Sequence, residues 1–316
     1  MMLFDSHNHV QLGPRGVDPL LETLDTLDAA SSSGSGAYRF SGCSVMSTHP
    51  RDFTAVDTIV AELHRRSFRA VPCYGIHPWF LNELLVSSAE ESGGGASVSS
   101  DDEWLVDLRR RLVDNKDSIV GEIGLDGARW TEVVGDDCRE GEHSGESIWK
   151  RERVLACPMD LQRRAFEEQM LIAAELSRPV SIHVVRAWGE LFDSLDYVRE
   201  VMRRRYLDSE LGDEPWSSEQ SKRIRKKVAR RRLLPPKIYF HAFSGKLGVI
   251  PSLLAACAKG NIPRKDVYFG FAPVSSCVGT CNKTFRPVSS NSISWLLGNT
   301  ELLRGQDSGD YEAHRH

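Results

Sequence analysis

The chain has 316 residues, 41% of them hydrophobic and 27% charged, with a net charge of -4, which is the make-up of a globular protein large enough for one big domain or two ordinary ones. The charge balance excludes a global attraction for nucleic acid, so any basic surface must be local. No run is long enough to span a bilayer, Asp5 and His7 interrupt the N-terminal apolar run before it reaches signal-peptide length, and the cysteines at 43, 73, 138, 157, 257, 277 and 281 are an odd, scattered set that suits reduced thiols of the cytosol or nucleus.

Seven short apolar runs follow one another: "MLFDSHNH" (2–9), "FSGCSVMST" (40–48), "RAVPCYGIHPW" (69–79), "SIVGEIGLD" (118–126), "PVSIHVV" (179–185), "KIYFHAFSG" (237–245) and "VYFGFAP" (267–273). Runs this continuous suit strands buried on both faces. Between them lie amphipathic stretches at 19–30, 52–67 and 160–177, the last with apolar residues at 161, 165, 166, 170, 172, 173 and 176, close to helical period. Strand then helix, repeated, predicts a parallel α/β fold. Three segments interrupt it. Residues 87–103 are Ser/Gly/acidic and are expected to form a loop; 127–159 have little periodicity and are expected to be an irregular excursion; 199–236 hold "RRR" (203–205) and "KRIRKKVARRR" (222–232), a cationic run that is either a solvated loop or helix face or a nucleic-acid or nuclear-import contact.

The histidines and one glutamate fall in a pattern. His7 and His9 are two apart and share a strand face, which suits either a hydrogen-bonded pair or one metal ion. Glu122 is a carboxylate inside the apolar "VGEIGLD", costly to bury unless paired or coordinated. His183 closes "PVSIH" and His241 closes "IYFH". In an α/β barrel such strand ends surround one pocket, where imidazoles and a carboxylate that can bridge two ions suit Zn²⁺ or Mn²⁺. The pair Cys277-x3-Cys281 has no second pair to complete a zinc site, and neither a G-x-S-x-G elbow nor a phosphate-binding G-x-x-x-x-G-K-[ST] loop occurs.

Taken in order from residue 3 to about 273, "FDSHNHV", "YGIHPW", "GEIGLD", "RPVSIHVVRAWGEL" and "YFHAFSG" resemble the TatD family of metal-dependent hydrolases. The resemblance implies a TIM-type (β/α)8 barrel over 1–275 with a site for two divalent ions, Mg²⁺, Mn²⁺ or Zn²⁺. His7 and His9 would hold the first, Glu122 would bridge, and His183 and His241 would complete the second. His77 would face the substrate and donate to a phosphate oxygen. The expected activity is metal-dependent hydrolysis of DNA or another phosphodiester, with no membrane partner and a cytoplasmic or nuclear location. The family's eighth strand, approximately "LLLETDAP", with its metal-binding aspartate, has no match. Asp307 and Asp310 lie in a polar context, and 276–316 is expected to be an atypical tail. The expectation is therefore a truncated or alternatively terminated form with seven recognisable strands, two exposed sheet edges, reduced stability, a tendency to associate, and a weakened first metal site. Two alternatives stand beside DNA hydrolysis: another ester or amide bond, such as that of aminoacyl-tRNA, and a catalytically impaired scaffold or interaction protein.

Overall fold

Apolar runs that leave no wet face need cover on both sides, and here all seven pair into one parallel sheet. The computed structural model describes residues 2–9, 22, 39–82, 84, 102–134, 151–155, 157–212 and 217–271. The strands are β1 (Met2–Asn8), β2 (Arg39–Met46), β3 (Arg69–Tyr74), β4 (Ile119–Asp126), β5 (Trp130–Val134), β6 (Arg151–Leu155), β7 (Val180–Val185), β8 (Ile238–His241) and β9 (Val267–Phe269). The sheet order is β1-β2-β3-β4-β7-β8-β9, parallel throughout. Helices α1 (Phe53–Arg65), α2 (Glu103–Asp114), α3 (Met159–Glu175), α4 (Trp188–Leu211), α5 (Ser218–Val228) and α6 (Val249–Lys259) separate the strands in the alternation the sequence predicts.

β4 is buried from Val120 to Asp126, as a strand sandwiched between helices and barrel interior must be. On the outer side, α3 places Phe166, Met170 and Ala173 in the same core as Val120, Ile182 and Phe240. The sheet is curled. β1 and β8 are separated by four strands in the hydrogen-bonding order, yet the Ser6 hydroxyl donates to Tyr239 Oη at 3.1 Å and the rings of His7 and His241 stack with centroids 3.4 Å apart. Only a sheet bent toward closure brings these side chains together, which is the geometry of an incomplete (β/α)8 barrel.

One expectation changes, and one open alternative is resolved. The excursion at 127–159 is not wholly irregular, because β5 and β6 form an antiparallel pair with Trp130 opposite Leu155 and Val134 opposite Arg151. Val133, Val134 and Val154 give these strands their β preference. Within the cationic insertion at 199–236, residues 199–211 belong to α4 and 218–228 form α5. The amphipathic stretch 19–30 apart from Glu22, most of 87–103, and the tail with Cys277, Cys281, Asp307 and Asp310 lie outside the described residues. Cys43, Cys73, Cys157 and Cys257 are buried.

Packing where β4 meets β7 is tight. A Cβ on Gly124 would lie 1.9 Å from the His183 carbonyl oxygen and 2.9 Å from His183 Cβ, whereas one on Gly189 of α4 would meet nothing within 4 Å. Gly124→Ala is expected to cost at least about 2 kcal/mol of unfolding free energy, and Gly189→Ala to leave stability unchanged or raise it by up to about 1 kcal/mol. Urea unfolding of the two variants checks this; equal midpoints would contradict it.

Candidate functional site

The parallel register carries each strand's last polar residue to one rim. His183 is opposite Gly124 and His241 is opposite His183, so β4, β7 and β8 present their C-terminal side chains side by side. Glu122 is 3% exposed and stands at the centre. Its Oε2 lies 3.2 Å from His7 Nε2 and 3.1 Å from His9 Nε2, while Oε1 lies 3.3 Å from His183 Nδ1, 3.6 Å from His77 Nε2 and 4.0 Å from His241 Nε2. All five histidines singled out in the sequence thus converge on one carboxylate. Two triads have mutually close ligand atoms, His7 with Glu122 and His241, and His77 with Glu122 and His183.

Hydrogen bonds to the outer ring nitrogens fix what each imidazole offers inward. The Met46 carbonyl, 3.1 Å from His9 Nδ1, can only accept, so Nδ1 donates and neutral His9 turns its Nε2 lone pair toward Glu122. Two lone-pair carriers 3.1 Å apart repel unless a proton or a cation lies between them. The Trp79 backbone N–H donates to His77 Nδ1 at 3.1 Å, which puts the proton of neutral His77 on Nε2. His77 therefore faces the cluster as a donor. His183 has carboxylates on both sides, Asp126 Oδ2 at 3.1 Å from Nε2 and Glu122 Oε1 at 3.3 Å from Nδ1.

The electrostatics follow. Burial pushes His77 down to about 3 against the pull of Glu122, and burial with the neighbouring His7 pushes His241 down to about 3, so both stay neutral at working pH. For His183 burial is outweighed by Asp126 and Glu122, which lift it to about 9. Burial opposes ionisation of Glu122, but the imidazoles around it, His77 first and then the hydrogen-bonding His183, hold its carboxyl well below the usual range. A buried, ionised carboxylate with imidazoles at both oxygens is a donor set suited to divalent cations.

Three residues the sequence reading passed over build this rim. Asp126, 3% exposed, accepts from His183 and from Trp79 Nε1 at 2.6 Å, and its other oxygen accepts from the backbone of Ala128 and Arg129. Its signal was available, since 122, 124 and 126 share one strand face. Gln162 and Gln169 on α3 are buried amides. Gln162 Oε1 accepts from Asp126 N at 2.7 Å and Gln169 Oε1 from Ile76 N at 2.8 Å, tying α3 to the ends of two strands. Trp79 is 42% exposed at the rim, with the Arg129 guanidinium 4.5 Å from its ring centroid.

The sequence profile of the family described as TatD related DNase matches residues 4–277. Cut9-interacting protein scn1 of Schizosaccharomyces pombe is 27% identical over 235 residues, covering 67% of this chain and 66% of that protein, so the chain spans just under two thirds of that relative's length. Among solved structures, an uncharacterized amidohydrolase from Saccharomyces cerevisiae superposes with a TM-score of 0.49 at 15% identity, over 86% of this chain and 75% of that one. A TatD homologue from Escherichia coli gives 0.42 at 19% identity, over 90% and 85%.

Without metal, the cluster's contribution to stability is expected to peak near neutral pH. His77 and His241, kept neutral down to about 3, contribute stability that is present above about 6.5 and is lost as the pH falls. His183, kept charged up to about 9, contributes stability that is present below about 6.5 and is lost as the pH rises through 9. Of the histidines, two act on the acid side and one on the alkaline side, so the acid limb should be steeper. Urea midpoints of chelator-treated protein between about pH 5 and 8.5 test it; a midpoint still rising at the alkaline end would refute it.

Proposed function

The chain belongs to the TatD related DNase family, and on that premise we propose that it is a divalent-metal-dependent hydrolase that cleaves phosphodiester bonds of DNA. The observation that carries the reading is the buried Glu122, with His7 and His9 on one oxygen and His183 and His241 nearest the other among the residues proposed as ligands. In this reading those five residues would hold two divalent cations. Bound there, the ions would stabilise charge on the scissile phosphate and lower the pKa of the attacking water. The chain's own groups do the rest. His77, with its proton on Nε2 and 4% exposed, donates to a non-bridging phosphate oxygen and loses no solvation in doing so. Asp126 holds His183 in the orientation that turns Nδ1 to the cluster. Gln162 holds Asp126 in turn.

The His183 half has Asp126 behind its ligand, and it should bind its ion more tightly than the His7 and His9 half. Manganese titration is expected to show two binding steps, with His9→Ala removing the weaker. Cleavage of single-stranded DNA should vanish with chelator, return with Mg²⁺, Mn²⁺ or Zn²⁺, and fall in Glu122→Ala to the chelated level. His77→Gln should keep metal stoichiometry and lose roughly a hundredfold in kcat. Cleavage that survives chelation would sink the proposal. A second reading, an interaction protein with an impaired centre, is favoured by the fission yeast relative being named for an interaction with Cut9. Metal content separates the two: about two ions per folded chain support the hydrolase, and a folded chain that takes up none supports the interaction protein.

A further inference from the structure

The proposed chemistry leaves one strongly charged surface unused, and it lies at the other end of the sheet. His183 and His241 are at or near the C-terminal ends of β7 and β8. The chain entering those strands, at Ser177 and Pro236, lines with Arg231 and Arg232 a cavity of about 270 Å³. These two arginines end the cationic segment that begins in α5. Residues 218–232 carry eight cations and a single carboxylate, Glu219.

Elsewhere most helical arginines are paired, Arg109 and Arg205 with Glu175 of α3 and the larger number with a carboxylate one turn away. Arg66 meets Glu62, Arg110 and Arg111 meet Asp107, Arg199 meets Asp196, and Arg203 and Arg204 meet Glu200. α5 departs from this rule. Lys227 and Arg231 share Glu210 of α4, at 2.8 and 2.6 Å. Lys222, Arg223, Arg225, Lys226, Arg230 and Arg232 are all exposed and have no carboxylate within ion-pair distance among the described residues. Like charges one turn apart, such as Lys222 and Lys226, oppose helix formation.

The helix is nevertheless firmly built. Ser217 and Gln220 form a reciprocal capping box, at 3.3 and 3.0 Å. Val228 is buried, and Asn261 Nδ2 donates to the carbonyls of Ala229 and Arg231 at 2.9 and 2.6 Å. Unpaired cations on a fixed scaffold form a preorganised acceptor for a repeating anion. The apolar side of α5, Ile224 and Val228, is turned into the protein, so no greasy face remains to enter a lipid interface. With 11 residues, α5 is about 16 Å long, a length over which a duplex presents about ten phosphate charges.

We propose that α5 is a docking surface for the phosphate backbone of double-stranded nucleic acid, separate from the carboxylate–histidine cluster. The surface goes beyond the hydrolase reading and does not need it, since binding there involves none of the cluster's residues. If cleavage also occurs, docking at one end of the sheet raises the local concentration of polymer at the other.

The test is fluorescence anisotropy with a labelled DNA duplex of about 20 base pairs in chelator, where no cleavage takes place, over roughly 50 to 200 mM salt. The full chain should bind with a steep salt dependence, and Glu122→Ala should match it. Replacing Lys222, Arg223, Arg225 and Lys226 together with Gln is expected to weaken binding roughly tenfold or more and to flatten the log–log salt slope by about three to four. Glutamine is as good a helix former as lysine or arginine, so the melting temperature should hold, and exchanging Lys for Arg and Arg for Lys at the four positions should preserve affinity. Equal affinity and slope in the Gln variant would overturn the proposal. So would sedimentation with phosphatidylserine vesicles in a chain that does not bind the duplex, which would assign the face to a lipid surface. Duplex binding as expected with no metal-dependent cleavage would overturn the hydrolase reading and leave this one standing.

Discussion

The structure turns on one buried charge. Glu122 sits in the middle of a parallel strand, 3% exposed, where an unpartnered carboxylate would either take up a proton or cost several kcal/mol. Five imidazoles from four separate segments are brought within 4.0 Å of its two oxygens. No local sequence can do this, because the partners are contributed by β1 and the residue after it, the turn following β3, and the ends of β7 and β8. A parallel register with every strand pointing the same way is what delivers them to one rim. The barrel-like curl is thus as much a requirement of solvating Glu122 as of burying Leu, Ile and Val.

Much of this was legible in the chain because a carboxylate and histidines stand out inside apolar runs. The seven strands and the convergence of His7, His9, His77, Glu122, His183 and His241 rest on that contrast. What stayed hidden works through the backbone of distant elements. Gln162 and Gln169 fall on the helix face that also carries Ala165 and Phe166, and their value lies in bonds to Asp126 and Ile76, which are remote in sequence. The proton position on His77 is set by the Trp79 N–H, a contact that exists only once the "GIHPW" turn has folded. β5 and β6 escaped notice because residues 135–150 separate two strands whose own β preference is modest.

Charge is distributed to separate ends. The segment 218–232 carries a large positive excess in a chain whose net charge is -4, so the remainder is more acidic than the whole. Outside α5 most helical arginines are neutralised, many within one turn and Arg109 and Arg205 by Glu175 of α3, which keeps those faces short-ranged in water. The capping motif "SSEQ" that starts α5 was readable, and with it the helical form of the cationic run, but pairing was not. Whether a cation is spent on a neighbour depends on where Glu210 falls at the end of α4, a matter of how two helices meet.

The two halves of the cluster are held by different forces. Glu122, His183 and His241 stand on β4, β7 and β8, adjacent strands whose backbone ladder continues to the register of His183 with His241. β1 joins the sheet through β2, with register irregularities between Leu3 and Phe4 and between Asp5 and Asn8. Its link to the far side is made by side chains, the His7 stack on His241 and the Ser6 hydroxyl on Tyr239. Ladder bonds place a ligand whether or not anything is bound, whereas side-chain contacts across a sheet opening are of the kind a bound ion can reinforce. His9 depends further on the Met46 carbonyl for its orientation. An ion at the His7 and His9 half would therefore have to do part of the work of fastening β1 to β8, and that work would be subtracted from its affinity.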